Sequence, residues 1–388
     1  MTKMIREEIQ DDLRSRGFSR RQMMRAAMMF GGAATAFAIG PEIAFAQPNQ
    51  RKSLVQIGAN ECWTGPLAPG LAAVASAAAQ SNRYSPNDER GQLIKTISKV
   101  EKIPEDHVMV WPGSNAALAK TVLAYCSPTR GVVTADPTYE TVGDAARFLG
   151  APVKPVALKA DYSHDVKAML AADPHAAIYY VCNPNNPTGT ITPTADIEWL
   201  VNNKPAGSVV MIDEAYIHWT TDYPNNSVAR LAAAGKDVLV MRTFSKIFGM
   251  AGMRVGYVMA RPDIIKKVMM FDDGITVDLP IPSIACANAS LTAKPLIDQR
   301  RAELIANRTM TEDFLKKRGL KLIGPSHANM LMIDWKTKTA KEVKAAFLAQ
   351  GVEIARVFPS WPTVSRVSIG SKADMEGFFA AFNKVVAA

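Results

Sequence analysis

Short apolar runs alternate with amphipathic stretches along most of this 388-residue chain. The runs at 108–111, 131–135, 153–157, 178–181, 209–212, 238–241 and 255–259 are too short for helices and rich in β-branched residues. They predict strands. Between them, 116–125, 139–149 and 194–201 carry helical spacing, and Pro262 opens a further helical pattern over 263–271. This alternation predicts an α/β fold with a mostly parallel sheet between helices. Beyond about Ser283 the texture changes. Long helical patterns at 283–291 and 295–317 lead into a smaller α/β unit, with strands at 321–323, 330–334, 352–356 and 364–369 and helices at 340–350 and 372–386. Residues 54–70, rich in Gly and Pro, read as an extended arm.

The first 46 residues have a different character. Ser19-Arg20-Arg21-Gln22-Met23-Met24-Arg25 precedes an Ala/Met/Gly-rich run over 26–40 and then Ala44-Phe45-Ala46-Gln47. A twin arginine, a modestly apolar core and a small-residue site predict a Tat-type signal peptide, cleaved after Ala46 and standing outside the fold. Met23 occupies the place where such signals usually carry phenylalanine. The run is short for a bilayer span and is interrupted at Gly31-Gly32 and Gly40-Pro41. The expectation is a periplasmic protein, handed over by the Tat export machinery, with no stable membrane insertion.

Composition narrows the function classes. At 48% hydrophobic residues the chain has enough apolar side chains for two structural domains. The formal charge of +9 is scattered, with no basic run interleaved with aromatics, so nucleic acid is not an expected partner. Four cysteines and five histidines show no paired or ligand-type spacing, and neither a disulfide framework nor a metal site is expected.

The candidate chemistry sits where apolar runs end. After 238–241 comes Thr243-Phe244-Ser245-Lys246, with Arg254 shortly beyond. A lysine there is placed to form a Schiff base with a carbonyl cofactor. Thr243, Ser245 and Arg254 are residue types that hold a phosphate dianion. Asp213-Glu214-Ala215-Tyr216 follows 209–212, Asn183-Pro184-Asn185-Asn186-Pro187-Thr188-Gly189 follows 178–181, and Pro112-Gly113-Ser114-Asn115 follows 108–111. Open α/β sheets place their ligands at such carboxyl ends.

In order, spacing and residue type these segments resemble the fold type I pyridoxal-phosphate (PLP) enzymes. The likeness is nearest to the histidinol-phosphate aminotransferase branch of the class I/II aminotransferases, and it runs from about Leu54 to the C-terminus. The resemblance implies a large domain over 81–285 and a smaller α/β domain over 286–388 that includes an N-terminal arm over 47–80. It implies pyridoxal 5'-phosphate as cofactor, with Lys246 as the imine-forming lysine and proton shuttle. Asp213 would pair with the pyridine nitrogen, keeping it protonated, while Asn186 and Tyr216 would reach the phenolic oxygen. Ser114, Asn115, Thr243, Ser245 and Arg254 would hold the phosphate, and Tyr139 would stack on the ring. Tyr84 would reach the phosphate of a neighbouring subunit, which implies a homodimer with shared active sites.

Arg366 would grip the substrate's carboxylate and Arg356 its distal group, while Asn329 is a structural landmark. The implied reaction moves an amino group from an amino acid or amine to a 2-oxo acid by a ping-pong route. A decarboxylase or lyase of the same fold is the alternative. One departure bears on the substrate. Histidinol-phosphate enzymes usually carry two acidic residues after the Gly-Ser pair, and this chain has Asn115-Ala116.

Overall fold

The computed structural model describes residues 7–30, 54–271 and 279–387. Helices α1 (Glu7–Ser15) and α2 (Arg20–Phe30), strand β1 (Val55–Ile57) and helices α3 (Ala68–Ala78) and α4 (Glu89–Glu101) precede the main sheet. That sheet holds β2 (Val108–Trp111), β3 (Val132–Asp136), β4 (Val153–Ala157), β5 (Ile178–Cys182), β6 (Val209–Asp213), β7 (Val238–Thr243) and β8 (Gly256–Met259), in the order β2-β8-β7-β6-β5-β3-β4. β8 alone among these seven runs against its neighbours, and the other strands share one direction. The carboxyl ends of β2, β5, β6 and β7 therefore lie along one edge.

Both faces of the sheet are covered, which explains why its strands read as continuous apolar runs instead of alternating ones. Ile178, Tyr180 and Cys182 enter one core with α5 (Ser114–Tyr125), α6 (Thr141–Leu149) and α10 (Pro262–Met269). Tyr179 and Val181 enter the other, with α8 (Thr194–Asn203) and α9 (Ala229–Ala233). α7 (Val166–Ala172) precedes β5.

The C-terminal part begins with α11 (Ile281–Leu291) and α12 (Lys294–Lys316), followed by β9 (Lys321–Leu322), β10 (Met330–Asp334), α13 (Ala340–Ala349), β11 (Val352–Ile354), β12 (Val364–Ser368) and α14 (Lys372–Ala387). β12, β10 and β9 form an antiparallel sheet. β1 from the arm pairs in parallel with β11, Val55 opposite Val352, which ties the arm to this smaller unit. The division expected between 285 and 286 falls inside α11, a continuous helix packed on α3 and α4.

The N-terminal segment corrects one expectation. Residues 1–46 were expected to stand outside the fold, yet α1 and α2 pack against the large domain through Ile9, Leu13, Phe18, Ala26 and Met29. Gly17, at φ +84°, ends α1 in the left-handed turn that suits glycine. Ser19 and Gln22 cap α2 reciprocally: each backbone N–H donates to the other's side-chain oxygen. Arg16 donates to the carbonyls of Leu123 and Cys126 at 2.9 and 2.7 Å, satisfying the C-terminal end of α5 where a cation meets the helix dipole favourably. The sequence reading missed this because alanines and methionines suit an export core and a buried helix face equally well. The expected cleavage site after Ala46 lies outside the described residues.

Beneath the edge that carries the candidate residues, Arg242 on β7 is fully buried. It donates to Glu214 at 3.0 Å, to Glu101 at 2.5 Å and to Ser227 at 2.7 Å. Tyr257 also donates to Glu101, at 2.8 Å. Breaking such a buried pair by deleting one partner costs about 3–5 kcal/mol. The cluster thus fixes the strand end that leads into Thr243 and Lys246.

Candidate active site

Four chain turns meet at the carboxyl edge of the main sheet. β2 turns into α5 through Gly113, whose φ of +73° suits glycine. A Cβ at Gly113 would lie 2.5 Å from Nη2 of Arg254, so the guanidinium stands directly over the first turn of α5. A Cβ on Gly256 would come within 2.9 Å of the Ser114 nitrogen, so β8 needs glycine there for the turn to sit this close. Thr243 donates to Ser245 Oγ at 2.8 Å, and Arg254 reaches the same oxygen at 3.5 Å. Ser114, Thr243, Ser245 and Arg254 are thereby assembled around the positive end of α5, an arrangement suited to a phosphate.

Asn115 has a side-chain task besides the backbone N–H that its place in the motif offers to a phosphate. Its side-chain oxygen accepts from the Tyr139 hydroxyl at 3.0 Å and from Thr141 at 2.8 Å. The amide oxygen orients the Tyr139 ring, while the backbone N–H remains in the first turn of α5.

Asp213 ends β6, buried, with its oxygens accepting from the Ala215 N–H at 3.1 Å and the Tyr180 hydroxyl at 3.2 Å. Both donors are neutral. Burial pushes this carboxyl up to about 6 against those two hydrogen bonds. A buried carboxylate so placed is stabilised by a cationic N–H. Lys246 is half-buried, its amine 5.2 Å from the centre of the Tyr216 ring and donating to the Asn60 carbonyl at 3.1 Å. Burial, with Arg366 nearby, pushes the amine down to about 8, while Glu61 and Asp213 act in the opposite sense.

Tyr216 accepts from Asn60 Nδ2 at 3.1 Å, which leaves its own proton free to donate. Burial raises its hydroxyl's pKa above the ordinary tyrosine range, so that proton is kept at neutral pH. Asn186 Oδ1 accepts from Arg366 Nη1 at 2.7 Å, and Arg366 Nη2 donates to the Gly58 carbonyl at 2.6 Å. Arg366 Nε is buried with no hydrogen-bond partner among the described residues. Arg356 instead pairs through both terminal nitrogens with both oxygens of Glu140. Tyr84 is fully exposed, and no hydrogen bond joins it to the cup residues within the chain.

These residues fit pyridoxal phosphate: a cup for a dianion, a buried carboxylate with no ion-pair partner among the described residues, an amine of lowered pKa, and two neutral donors at Asn186 Nδ2 and Tyr216. When bound, the cofactor supplies an electron sink for the charge left after an α-proton departs. Asp213 would keep its ring nitrogen protonated, Asn186 and Tyr216 would face its phenolic oxygen, and Lys246 would bond its aldehyde carbon. Freed from that bond, the Lys246 amine would be the base to carry a proton.

Fold and site together define a fold type I, PLP-dependent aminotransferase. The chain belongs to the family described as Aminotransferase class I and II, which matches residues 52–382. It is 30% identical over 341 residues to the histidinol-phosphate aminotransferase of Moorella thermoacetica, covering 87% of this chain and 86% of that one. It is also 30% identical over 328 residues to the aromatic amino acid aminotransferase of Rhodococcus jostii, covering 84% and 88%. The histidinol-phosphate aminotransferase of Sinorhizobium meliloti, solved in complex with pyridoxal-5'-phosphate, shares the fold at a TM-score of 0.77 and 23% identity, covering 90% and 96%.

Three contributors escaped the sequence reading. Tyr180 precedes Cys182 on β5, and their shared face of the sheet was a signal for a side chain near Asp213. Asn60 sits at φ +54° and bonds Tyr216 and Ser368 while its carbonyl accepts from Lys246 and Asn329. No local pattern marks that convergence. Glu140, beside Tyr139, was visible only as a charge at a helix start.

The lowered lysine pKa gives a pH prediction. Attack on the aldehyde needs the neutral amine, which predominates above about pH 8 and is scarce below it. Capture of pyridoxal phosphate by cofactor-free protein is expected to accelerate as pH rises through 8 and then level off. Stopped-flow absorbance against pH measures this; a flat profile from pH 6.5 to 9.5 would contradict it.

Proposed function

We propose that the chain is an exported aminotransferase that moves the amino group of a free amino acid, aromatic ones included, to a 2-oxo acid. It works in two half-reactions, with the amino group staying on the enzyme between them. The observation that carries this reading is Lys246 flanked by Asp213 and by an arginine, Arg366, whose hydrogen-bond acceptors are neutral. That arginine suits a donor's α-carboxylate in planar two-pronged contact. Curated relatives at equal identity act on histidinol phosphate and on aromatic amino acids. The Asn115-Ala116 pair and the export signal favour the second class here.

A donor screen on purified protein tests it. An amino acid alone should bleach the yellow absorbance of the loaded enzyme, and a 2-oxo acid should restore it. Release of carbon dioxide without that cycle would instead identify a decarboxylase.

The protein acts as a homodimer in this proposal, with Tyr84 completing the partner's phosphate cup; its full exposure in the single chain supports that role. Export through the Tat route is supported by Arg20 and Arg21, which stay exposed on α2 while the opposite face packs on the folded domain. Replacing both arginines with lysine is expected to hold the protein in the cytoplasm. Fractionation checks this, and a wild-type protein confined to the cytoplasm would refute export.

A further inference from the structure

The two arginines proposed to face the substrate differ in what already holds them. Arg366 donates to an amide oxygen and a backbone carbonyl, and among the described residues no carboxylate pairs with it. Its positive charge is uncompensated by direct contact. Arg356 is engaged at both terminal nitrogens by both oxygens of Glu140, a fork-to-fork pair that neutralises it. Both guanidinium groups stand near one ring, with Cζ of Arg356 5.4 Å and Cζ of Arg366 5.9 Å from the centre of Phe358. The Ala355 N–H donates to the Arg366 carbonyl at 3.1 Å, which fixes the two arginines on adjacent chain segments. A donor anchored on Arg366 and running past Phe358 brings its far end to Arg356.

Glu140 reaches Arg356 from the other domain. It follows Tyr139, so it extends from the wall of the cofactor site, and α6 begins one residue later. A second contact ties the same two loops together: Ser360 Oγ donates to Asp136 at 2.5 Å.

We propose that Glu140 is a specificity-determining residue: by occupying Arg356 across the domain gap it closes the far end of the site to a second anionic group and selects donors with uncharged side chains. The inference deepens the proposed function and rests on Arg366 holding the donor's α-carboxylate. A distal carboxylate or phosphate has to displace Glu140 and then lie beside the carboxylate it displaced. Selectivity then comes from an unfavourable contact with the wrong ligand. The Arg356 and Glu140 side chains are 44% and 26% exposed, so solvent screens the pair. The expected effect is accordingly about tenfold, not thousandfold.

The test uses loaded enzyme and two unreactive ligands that share one carboxylate, glutarate and 3-phenylpropionate, titrated by calorimetry. Glu140→Gln should tighten glutarate by about tenfold relative to 3-phenylpropionate, and kcat/KM for glutamate over phenylalanine should rise by a similar factor. Arg356→Gln leaves Glu140 unpaired and should weaken glutarate relative to 3-phenylpropionate. Unchanged ligand ratios in both variants would overturn the proposal. Arg366→Gln should weaken both ligands together. If it does not, the placement of the α-carboxylate is wrong, while the ratios still decide the role of Glu140.

Discussion

Lys246→Ala is expected to lower turnover by on the order of 10⁴-fold or more, because one amine has two duties that nothing nearby can take over. On the proposed reading it would hold the cofactor's aldehyde between cycles and, once released, would move the α-proton. Among the described residues in contact with it there is no comparable base: Tyr216 is buried and keeps its proton, and the Asn60 contact is a backbone carbonyl. The loss should be chemical, not structural. The deleted side chain makes one part-buried hydrogen bond, worth about 1 kcal/mol, and its burial disfavours the charged form. Circular dichroism and thermal melting should therefore show a folded protein with a Tm close to wild type, lacking the yellow absorbance of covalently held cofactor. A folded variant that keeps turnover within tenfold of wild type would contradict the assignment.

Asp213→Asn is expected to separate catalysis from stability. An amide cannot hold the ring nitrogen in its protonated form, so the electron sink is weakened and turnover should fall by about 10³-fold while Lys246 still captures the cofactor. Stability should move the other way in the cofactor-free protein. The folded pKa of about 6 lies above the ordinary carboxyl value, so the contribution of this group to stability is full at low pH. It is lost as pH rises through 6, because ionising the carboxyl then works against the folded state. The uncharged amide escapes that penalty. The variant's Tm should exceed that of wild type at pH 7.5, with the difference closing below about pH 4. Turnover retained within tenfold, or a lower Tm at pH 7.5, would count against this role for Asp213.

The parts of this protein legible in its sequence are those in which local pattern and tertiary role coincide. β2, β5, β6 and β7 are buried on both faces, so their apolar runs announce them, and the polar residues ending each run fall where the sheet's direction puts a ligand. That logic singles out Ser114, Asn186, Asp213, Thr243 and Lys246, which the structure brings to the ends of strands along one edge. It failed where contacts come from distant chain. Asn60 meets Tyr216, Ser368 and Asn329 through long-range packing and a left-handed backbone, neither of which an arm sequence displays. The motif offers only the backbone N–H of Asn115 to the cup, and it carries no sign that the side chain bonds Tyr139 and Thr141. α4 went unread because Lys, Gln, Thr and Ser interleave with its two buried positions, Leu93 and Ile97. α1 and α2 were assigned to a detached leader because their composition fits one; only the partner face of α2 on α5 and α6 shows that Ala26 and Met29 are core residues, and Leu13 of α1 joins the same cluster.

The claim on which the rest depends is that the amine at position 246 bonds the cofactor. Borohydride reduction of the loaded enzyme, followed by proteolysis and mass spectrometry, tests it directly. The account predicts a single pyridoxyl-labelled peptide carrying the modification on Lys246. A label on a different lysine, or fully loaded protein that takes no label, would contradict it.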